Sequence, residues 1–249
     1  IDYYKKNNLE VATDVLIGLP GESKKSHLRT LLTAFDLGFG SILAYNIRML
    51  KGSKYENNEY RKQYGLGTKY RPIFGAYGVY DGQKVFEIEE SIRATRDIKE
   101  EELESFKILH WLIWFLWNIK IYKPILRFGQ CYGVNPGLVL YKLSSSKHPL
   151  LTDVYAKMKE ESMAEWFDSS EDMVRFYEND EEFNDMVDNF VKLNFLWIAR
   201  VLTNFNILTT LFNELLRILK NEIVMSENFS EDSLDKLYDL LNKLFIKVY

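Results

Sequence analysis

The sequence predicts a mixed α/β fold in which a few parallel strands lead into a mostly α-helical second half. Three observations predict it. An apolar strand runs into a Gly-Pro-Gly turn and then a helix, a second strand follows that helix, and apolar residues recur every three or four positions from about residue 100 onward. Two parallel strands joined by a helix form a βαβ unit, and the sheet of such a unit needs helices packed on it.

The first hundred residues should contain this βαβ unit, and the rest of the chain should be helical. In chain order we expect the end of a helix within 1–8, a strand over 9–17, a helix capped by Ser23 and running to about Leu37, a strand over 41–50, irregular chain over 51–84 with a short helix near 57–64, and extended chain over 85–95. We then expect a helix from Glu100, capped by Asp97 and continuing into the tryptophan-rich segment, a loop over 129–137, and helices over 150–163, 170–188, 190–221 and 231–248.

The composition is that of a globular chain with unevenly distributed charge. Of the 249 residues, 47% are hydrophobic, which is enough for one large core or two smaller ones. Residues 1–150 hold 22 Lys and Arg against 16 Asp and Glu, whereas residues 151–249 hold 10 against 20, and the net charge is −4. An acidic second half and the lack of a concentrated basic stripe argue against a nucleic-acid partner.

Cysteine content and hydropathy predict where the protein resides. Cys131 is the only cysteine, so no internal disulfide can form, and we expect a reducing, cytoplasmic compartment. The most apolar segment, 108–119, includes His110 and Asn118 and is shorter than the roughly 20 residues that cross a bilayer. We therefore expect no membrane span and interpret this segment as a buried helix, the alternative being a helix at an interface or against a partner.

Strand alternation assigns the side chains at the strand ends to faces. Gly18 would allow a ligand to approach the backbone closely, and Pro20-Gly21 would make a sharp turn into the next helix. The bulky set Tyr45, Ile47 and Met49 is expected to pack under helices. The face that suits a ligand at the mouth of a barrel is expected to carry Asp14, Leu16 and Gly18 from the first strand and Ala44, Asn46, Arg48 and Leu50 from the second.

The spacing at this turn excludes a phosphate-binding loop of the nucleotide triphosphatases. The motif G-x-x-x-x-G-K-[ST], counted from Gly18, needs a glycine where Ser23 stands. In addition, Lys24 is followed by Lys25 and not by Ser or Thr. Taken alone, the turn is therefore compatible with any βα connection.

The turn belongs to a longer series of segments in the first half of the chain. The series consists of TDVLIGLPGES over 13–23, a helix ending in DLG at 36–38, a strand ending in RMLKGS over 48–53, EYRKQYG over 59–65 and Tyr70-Arg71. It resembles the later half of the radical SAM domain, in particular the cobalamin-binding branch of that superfamily, over about residues 1–110. The resemblance implies a partial TIM-like (β/α) barrel that holds a 4Fe-4S cluster and S-adenosylmethionine at its strand ends.

Residue by residue, the resemblance matches the first strand with the fifth barrel strand and its G-x-I-x-G motif, and the second strand with the sixth. Leu16 then falls at the apolar position that packs on adenine, Gly18 at the second glycine, and Asp14 replaces the first. The Lys51-Gly52-Ser53 turn keeps the family's glycine and lacks its proline. The cofactor-binding residues that the resemblance implies are Asp14, Leu16, Gly18, Leu19, Glu22, Asn46, Arg48 and Leu50; it implies no catalytic residue here.

The resemblance also implies parts that would lie outside this chain. The family's C-x-x-x-C-x-x-C motif, whose thiolates hold the iron, would lie upstream of Ile1, as would a cobalamin-binding domain, and Cys131 cannot replace that motif. The chain is then the C-terminal fragment of an enzyme and inactive alone, with the end of the barrel and its substrate-side extension at 1–98 and an α-helical domain at 99–249. Its partners would be the missing N-terminal barrel half and a small-molecule or biopolymer substrate that the sequence does not identify.

Two other functions remain open. The chain could be a non-catalytic interaction module or subunit that uses the aromatic helix and the acidic helical half to hold a partner, or part of an ordinary α/β barrel enzyme without a cluster. An in-frame cluster motif upstream would favour the radical SAM enzyme, whereas a start codon near Ile1 would favour the module. Formation of 5′-deoxyadenosine by the reconstituted full-length product would separate the two kinds of enzyme.

Four polar residues have a structural interpretation beside the functional one. Glu22 can accept hydrogen bonds from the amides of the turn or approach the ligand. Arg48, at a strand end, can bind a substrate or cofactor carboxylate or form a salt bridge. Arg71 and Asp81 lie in the segment expected over the barrel mouth, where surface ion pairs are the alternative to substrate contact.

The histidines and tryptophans are assigned no cofactor. His27 is expected early on an exposed helix, His110 inside an apolar helix and His148 in a Ser-rich loop, a spacing that fits no metal site. The row Trp111, Trp114 and Trp117 advances by threes along one helix flank, which predicts core packing or a docking surface.

Overall fold

A computed structural model of the chain describes residues 2–7, 9–230 and 232–245. Its elements, in chain order, are α1 (Asp2–Lys6), β1 (Ala12–Ile17), α2 (Lys24–Leu37), β2 (Ser41–Asn46), a 3-10 turn (Lys54–Glu56), α3 (Asn58–Tyr64), β3 (Gly67–Tyr80), β4 (Gln83–Ala94), α4 (Glu100–Glu104), α5 (Lys107–Leu112), a π-helical segment (Ile113–Asn118), α6 (Lys123–Gln130), α7 (Pro136–Ser144), α8 (Pro149–Ala164), α9 (Ser170–Glu178), α10 (Asp180–Asn189), α11 (Leu193–Thr203), α12 (Phe205–Val224) and α13 (Ser233–Phe245).

The predicted βαβ unit is present, and its two strands are parallel. β1 pairs with β2 in a register that sets Ala12 opposite Ser41 and Ile17 opposite Asn46. The helix between them begins at the predicted cap, because the Ser23 hydroxyl accepts a hydrogen bond from the N–H of Ser26, and it ends at Gly38 in a left-handed conformation. The mixed α/β class and the helical second half are thus confirmed, but the described residues form two two-stranded sheets and no barrel.

The two edges of the β1–β2 sheet differ. The side chain of Asn118 covers the outer edge of β2, since its amide donates to the carbonyl of Ile42 (2.8 Å) and its oxygen accepts from the Ile42 N–H (3.0 Å). Beyond the end of β2, the N–H of Ile92 donates to Ile47 O and the N–H of Met49 to Glu90 O, so that β4 continues this cover. Within the described residues, the outer edge of β1 pairs with no strand.

One face of this sheet is buried and the other is open. Val15, Ile17 and Ile42 lie in the main hydrophobic core, where helices pack on them. Tyr45, expected under helices, is instead 49% exposed, because the register sets it beside Leu16 on the opposite face. The prediction for Tyr45 was therefore wrong.

The extended chain predicted over 85–95 appears as β4, and it forms a long β-hairpin with β3, which lies in the segment predicted to be mostly irregular. β3 and β4 pair antiparallel, and Asp81 and Gly82 make the two-residue turn, both with positive φ. The hairpin packs on the helical half, where the backbones of Tyr70 and Phe167 exchange two hydrogen bonds. The predicted short helix in this segment is α3.

The second half is helical as predicted, but it contains more elements than expected. The helices α6 and α7 were not predicted, and the expected helix from Glu100 is divided into α4 and α5. The prediction that Asp97 caps this helix was wrong, because Lys99 is its N-cap and the carboxylate of Asp97 accepts from the N–H of Gly21 instead.

The expected helix over 170–188 is divided at Asn179, whose side chain caps α10 by accepting from the N–H of Glu181. The one expected over 190–221 is divided at Asn204, which caps α12 in the same way. The last predicted helix appears as α13; residues 231 and 246–248 of that prediction lie outside the described residues.

The tryptophan-rich segment lies in the core. Trp111 and Trp117 are fully buried and Trp114 packs against the cluster, so the row is core and not docking surface. The same core cluster reaches from β1 to α13, and the domain boundary between 98 and 99 stays a prediction.

In the described part of the chain, no single helix is long and apolar enough to cross a membrane. The pair Leu193–Thr203 and Phe205–Val224, bent by 96° at the break, meets the length and composition only when taken together.

Candidate functional site

Glu22 holds the turn after β1 in place through hydrogen bonds to the backbone of the turn. Gly18 and Gly21 have φ of 94° and 82°, values that favour glycine, and the N–H of Glu22 donates to Leu19 O. The carboxylate of Glu22 accepts from the N–H of Gly18 at 2.8 Å and from that of Leu19 at 3.4 Å. The structural interpretation of Glu22 is therefore confirmed, and these two amides are already occupied by a carboxylate of the chain itself.

The need for glycine at position 18 is explained by packing within the protein. A Cβ atom at Gly18 would lie 3.3 Å from Cγ2 of Ile92 on β4 and 3.7 Å from Cδ1 of Leu103 on α4. The turn is further held by Asp97, whose carboxylate accepts from the N–H of Gly21 at 3.1 Å. Close approach of the backbone does occur at Gly18, as expected, but the neighbour is the protein and not an open cavity.

Two histidines connect this turn to α5. His27 was expected on an exposed helix face and is instead fully buried. Its Nδ1 lies 3.0 Å from Oε1 of Glu22, and its Nε2 lies 2.9 Å from Nε2 of His110. Phe106 packs edge-on against His27 and stacks with His110.

The two contacts restrict which nitrogens carry protons. Glu22 can only accept, so Nδ1 of His27 carries a proton, and we assign the tautomers in which Nε2 of His27 accepts and Nε2 of His110 donates. Burial lowers the pKa of His110 well below its usual range, and the neighbouring His27 and Lys107 add to the effect, so His110 is neutral at pH 7. This chain of hydrogen bonds orients the turn, because each group has its partner within the protein.

The open face of the β1–β2 sheet leads to the same turn. Leu16 is 42% exposed and lies beside Tyr45, while Leu19 and Leu50 are exposed at the strand ends; Asp14 is exposed on the same face as Leu16. Asn46 pairs with Ile17, whose side chain is in the core, so Asn46 does not share the face of Leu16 as expected. The prediction that these side chains share one cavity was wrong for Asn46, because the face assignment of β2 was shifted by one residue.

Arg48 and Arg71 bind the same buried carboxylate. Nη2 of Arg48 lies 3.0 Å from one oxygen of Glu89, and Nη2 of Arg71 lies 3.2 Å from the other, which also accepts from the hydroxyl of Ser91. Nη1 of Arg71 in addition reaches Glu165 at 3.2 Å. Both arginines thus form salt bridges within the protein, which was the structural alternative to contact with a ligand. Asp81 lies in the hairpin turn.

A buried charge cluster that the sequence did not indicate lies beside these arginines. Trp166 is enclosed by Arg71 and Arg93, whose guanidinium carbons lie 4.3 and 4.6 Å from the centre of its ring. Arg93 is buried and contacts Glu104, and burial lowers its pKa to about 10, which leaves it protonated at neutral pH. These partners come from β3, β4, α4 and the end of α8, so no local motif could have predicted the cluster.

Lys107 borders the same cluster. Burial lowers the pKa of its ammonium to about 8, with Glu165 opposing and Arg71 and Arg93 adding to the effect. In the described residues no hydrogen bond or ion pair holds this ammonium. The described residues also contain no group of three or more His, Cys, Asp or Glu placed to hold a metal ion.

No model of a known protein family matches the chain, and no curated protein matches it.

Proposed function

We propose that this chain forms part of the wall that binds S-adenosylmethionine in a radical SAM enzyme, and that β1 and β2 are the last two strands of its partial barrel. The observation that carries the proposal is the asymmetry of the β1–β2 sheet. One face packs under helices, the other is an uncovered apolar face that ends at the Gly-Pro-Gly turn, and only the β2 edge is covered within the described residues.

This asymmetry suits the end of a barrel. An unpaired strand edge can accept a further strand, and the outer edge of β1 would accept the preceding barrel strand. The outer edge of β2 is satisfied by Asn118 and β4, as the last strand of a partial barrel requires. The uncovered face would then point into the barrel.

Adenine would pack on the uncovered face. Leu16 and Tyr45 offer apolar and aromatic area there, and Leu19 and Leu50 extend it toward the strand ends. Asp14, on the same face, would meet polar groups of the ligand. The 4Fe-4S cluster, which supplies the electron for reductive cleavage, would be held by thiolates outside these residues, since Cys131 is the only cysteine.

The test uses the complete product of the reading frame that contains this chain, reconstituted with iron and sulfide under reducing conditions. We expect 5′-deoxyadenosine to form from S-adenosylmethionine, and Leu16→Glu to lower its rate at least tenfold, since a buried charge would face the adenine. The matched control is Val85→Glu, on the exposed side of the hairpin, which should leave the rate unchanged. Absence of both cluster and product would refute the proposed enzyme, whereas product formation insensitive to Leu16→Glu would refute the assigned face.

A second function, an interaction subunit, is favoured by the same open edge, which could accept a strand of a partner protein. The aromatic helix cannot provide its docking surface, because Trp111 and Trp117 are buried. For the subunit we expect that the complete product yields no 5′-deoxyadenosine.

A further inference from the structure

A cavity of about 390 Å³ lies between α5, α7 and α8, beside the start of α2. This volume is within the range of about 300–1,000 Å³ that is typical of small-molecule sites. One wall is apolar, built from Phe106, Leu109 and Ala156, and the opposite side is lined by lysines and hydroxyl groups. The cavity lies outside the open sheet face to which the proposed adenosyl site is assigned.

The charge of this cavity is uncompensated. Lys24, Lys147 and Lys159 line it, and no Asp or Glu does. In the part of the chain that the structure describes, none of these three ammonium groups forms an ion pair or a hydrogen bond. Burial lowers the pKa of Lys159, and the positive charge of Lys24, which lines the same cavity, adds to the effect.

A residue with a buried hydroxyl that has no partner also lines this cavity. Tyr155 lines it and is only 5% exposed, and its hydroxyl oxygen, buried from solvent, has no hydrogen-bond partner. Burial raises the pKa of this hydroxyl, and the nearby charge of Glu214 adds to the effect, so it remains a proton donor. A buried donor without an acceptor is unfavourable by itself, so a ligand that supplies the acceptor oxygen would gain this hydrogen bond.

The surrounding groups do not neutralise the lysines. Glu214 accepts a hydrogen bond from the hydroxyl of Ser146 at 2.8 Å, but its carboxylate is already paired with Arg217, whose Nε lies 2.7 Å away. In the adjoining cavity of about 510 Å³, Arg217 pairs with Glu214 and Lys142 pairs with Glu222, while the unpaired Lys147 lines both cavities. Lys24 and Lys159 are the unpaired lysines that line the first cavity and not the adjoining one.

The first turn of α8 adds a further favourable field. Thr152, in that turn, lines the cavity, and His148, the residue before Pro149, makes no side-chain cap hydrogen bond. The N–H of Thr152 donates to His148 O, but the dipole at the start of this 16-residue helix still favours an anion near this turn.

We propose that this cavity binds a small phosphate monoester, with its phosphate held by Lys24, Lys147, Lys159 and the hydroxyl of Tyr155. Three ammonium groups and a neutral donor match the charge and the acceptor oxygens of a phosphate dianion better than those of a single carboxylate. The organic part of the ligand packs against Phe106 and Leu109. The concave shape and the acidic second half of the chain oppose an extended polyanion.

The experiment is calorimetric titration of the protein with glucose 6-phosphate, glycerol 3-phosphate and AMP at 0.15 M salt, with inorganic phosphate as competitor and succinate as the carboxylate probe. At least one monoester should bind, inorganic phosphate should compete with it, and succinate should bind more weakly. Lys159→Gln should weaken binding about tenfold, the loss of one charge-assisted hydrogen bond. The matched control is Lys157→Gln, on an exposed position of α8 outside the cavity, which should change the affinity less than twofold.

Tyr155→Phe provides an independent readout that does not depend on charge. It removes a buried unsatisfied hydroxyl, so the unliganded protein should unfold at a higher urea concentration while the monoester binds several-fold more weakly. Binding of none of the three monoesters, equal weakening by Lys157→Gln and Lys159→Gln, or succinate binding as tight as that of the best monoester would overturn the proposal.

Discussion

Replacing Glu22 by alanine should destabilise the protein by about 3 kcal/mol, because two buried N–H groups lose their acceptor at once. These donors are the N–H of Gly18, 2.8 Å from the carboxylate, and Nδ1–H of His27, 3.0 Å from it. A buried donor left unsatisfied costs about 1–3 kcal/mol, and the side chain of Glu22 is too enclosed for bulk water to replace both contacts. The free energy of unfolding is measured by urea titration with tryptophan fluorescence.

The conservative variant Glu22→Gln tests the proton positions. The amide oxygen of the glutamine can still accept from the N–H of Gly18. Its NH2 group can donate to Nδ1 of His27 only if the proton of His27 moves from Nδ1 to Nε2, and Nε2 of His27 then donates to Nε2 of His110. We therefore expect a loss of only about 1 kcal/mol, from the lost charge assistance. Long-range ¹⁵N–¹H correlation spectra of the imidazoles should show the reversed tautomers.

Glu56→Ala is the matched control, since the carboxylate of Glu56 also accepts from a glycine N–H, that of Gly52, at 2.8 Å, but on an exposed turn. Water can replace this contact, and the loss should stay near 0.5 kcal/mol, as for most surface substitutions. The reasoning fails if Glu22→Ala is no more destabilising than Glu56→Ala, or if Glu22→Gln leaves the tautomers unchanged.

Three further variants probe packing and pH dependence, each by the free energy of unfolding. Gly137→Ala places Cβ 2.6 Å from Cδ2 of buried Phe35 and should destabilise by about 1–3 kcal/mol, with recovery when Phe35→Leu is added; no recovery would contradict the steric cause. Lys123 and Lys120 lower the pKa of Glu10 to about 2, so its ion pairs stabilise the protein above pH 4.5 and are lost as the pH falls toward 2. Glu10→Gln should therefore destabilise the protein by about 1 kcal/mol at pH 7, because this group is half-exposed and solvent screens its ion pairs. Near pH 2 the substitution should have no effect, and a loss of stability that persists there would contradict this explanation. Because the pKa of His110 is lowered in the folded protein, the unfolded chain binds a proton at this residue at a higher pH than the folded protein does, and stability should fall as the pH drops below 6.5. His110→Gln should make this pH dependence shallower, and an unchanged pH dependence would show that other groups cause it.

The sequence predicted those parts of the fold in which local patterns agree with tertiary packing. The strand before the Gly-Pro-Gly turn, the helix capped by Ser23 and the amphipathic helices of the second half all appear. Two of the breaks it missed, at Asn179 and Asn204, carried a local signal, because asparagine is a favoured cap and each side chain caps the following helix. The apolar periodicity on both sides concealed them.

The first strand of the hairpin and its pairing with β4 were missed, although the turn between them is visible in the sequence. Asp81-Gly82 between two β-rich segments is among the strongest short-range hairpin signals. β3 carries four positions of glycine or proline among its fourteen residues, and its burial does not alternate regularly, so the period-2 pattern was absent. The turn chemistry was the better guide here.

The site residues show how far strand alternation can be trusted. In β2 the run Ile42, Leu43, Ala44 and Tyr45 has apolar residues on both faces, so the sequence does not indicate which face is buried. The pairing of Leu16 with Tyr45, and not with Asn46, is decided by the register with β1 and by the helices that cover Ile42. The lysine cavity was inaccessible to sequence reasoning for a related reason: its charged residues lie on three segments that only the packing of α2, α7 and α8 brings together.

Two places in this chain offer donors to an anion, and they differ in whether the chain already supplies one. At the turn after β1, the donors are the amides of Gly18 and Leu19, and the carboxylate of Glu22 occupies them. An external anion would have to displace a charge-assisted hydrogen bond there, which opposes binding by about as much as the new contact would contribute. In the α8 cavity, Lys159 and the hydroxyl of Tyr155 have no such internal partner, so an incoming phosphate gains contacts without breaking any. The pattern of satisfied and unsatisfied donors therefore favours an anionic ligand in the cavity beside α8 over one at the turn, in agreement with the two proposed sites.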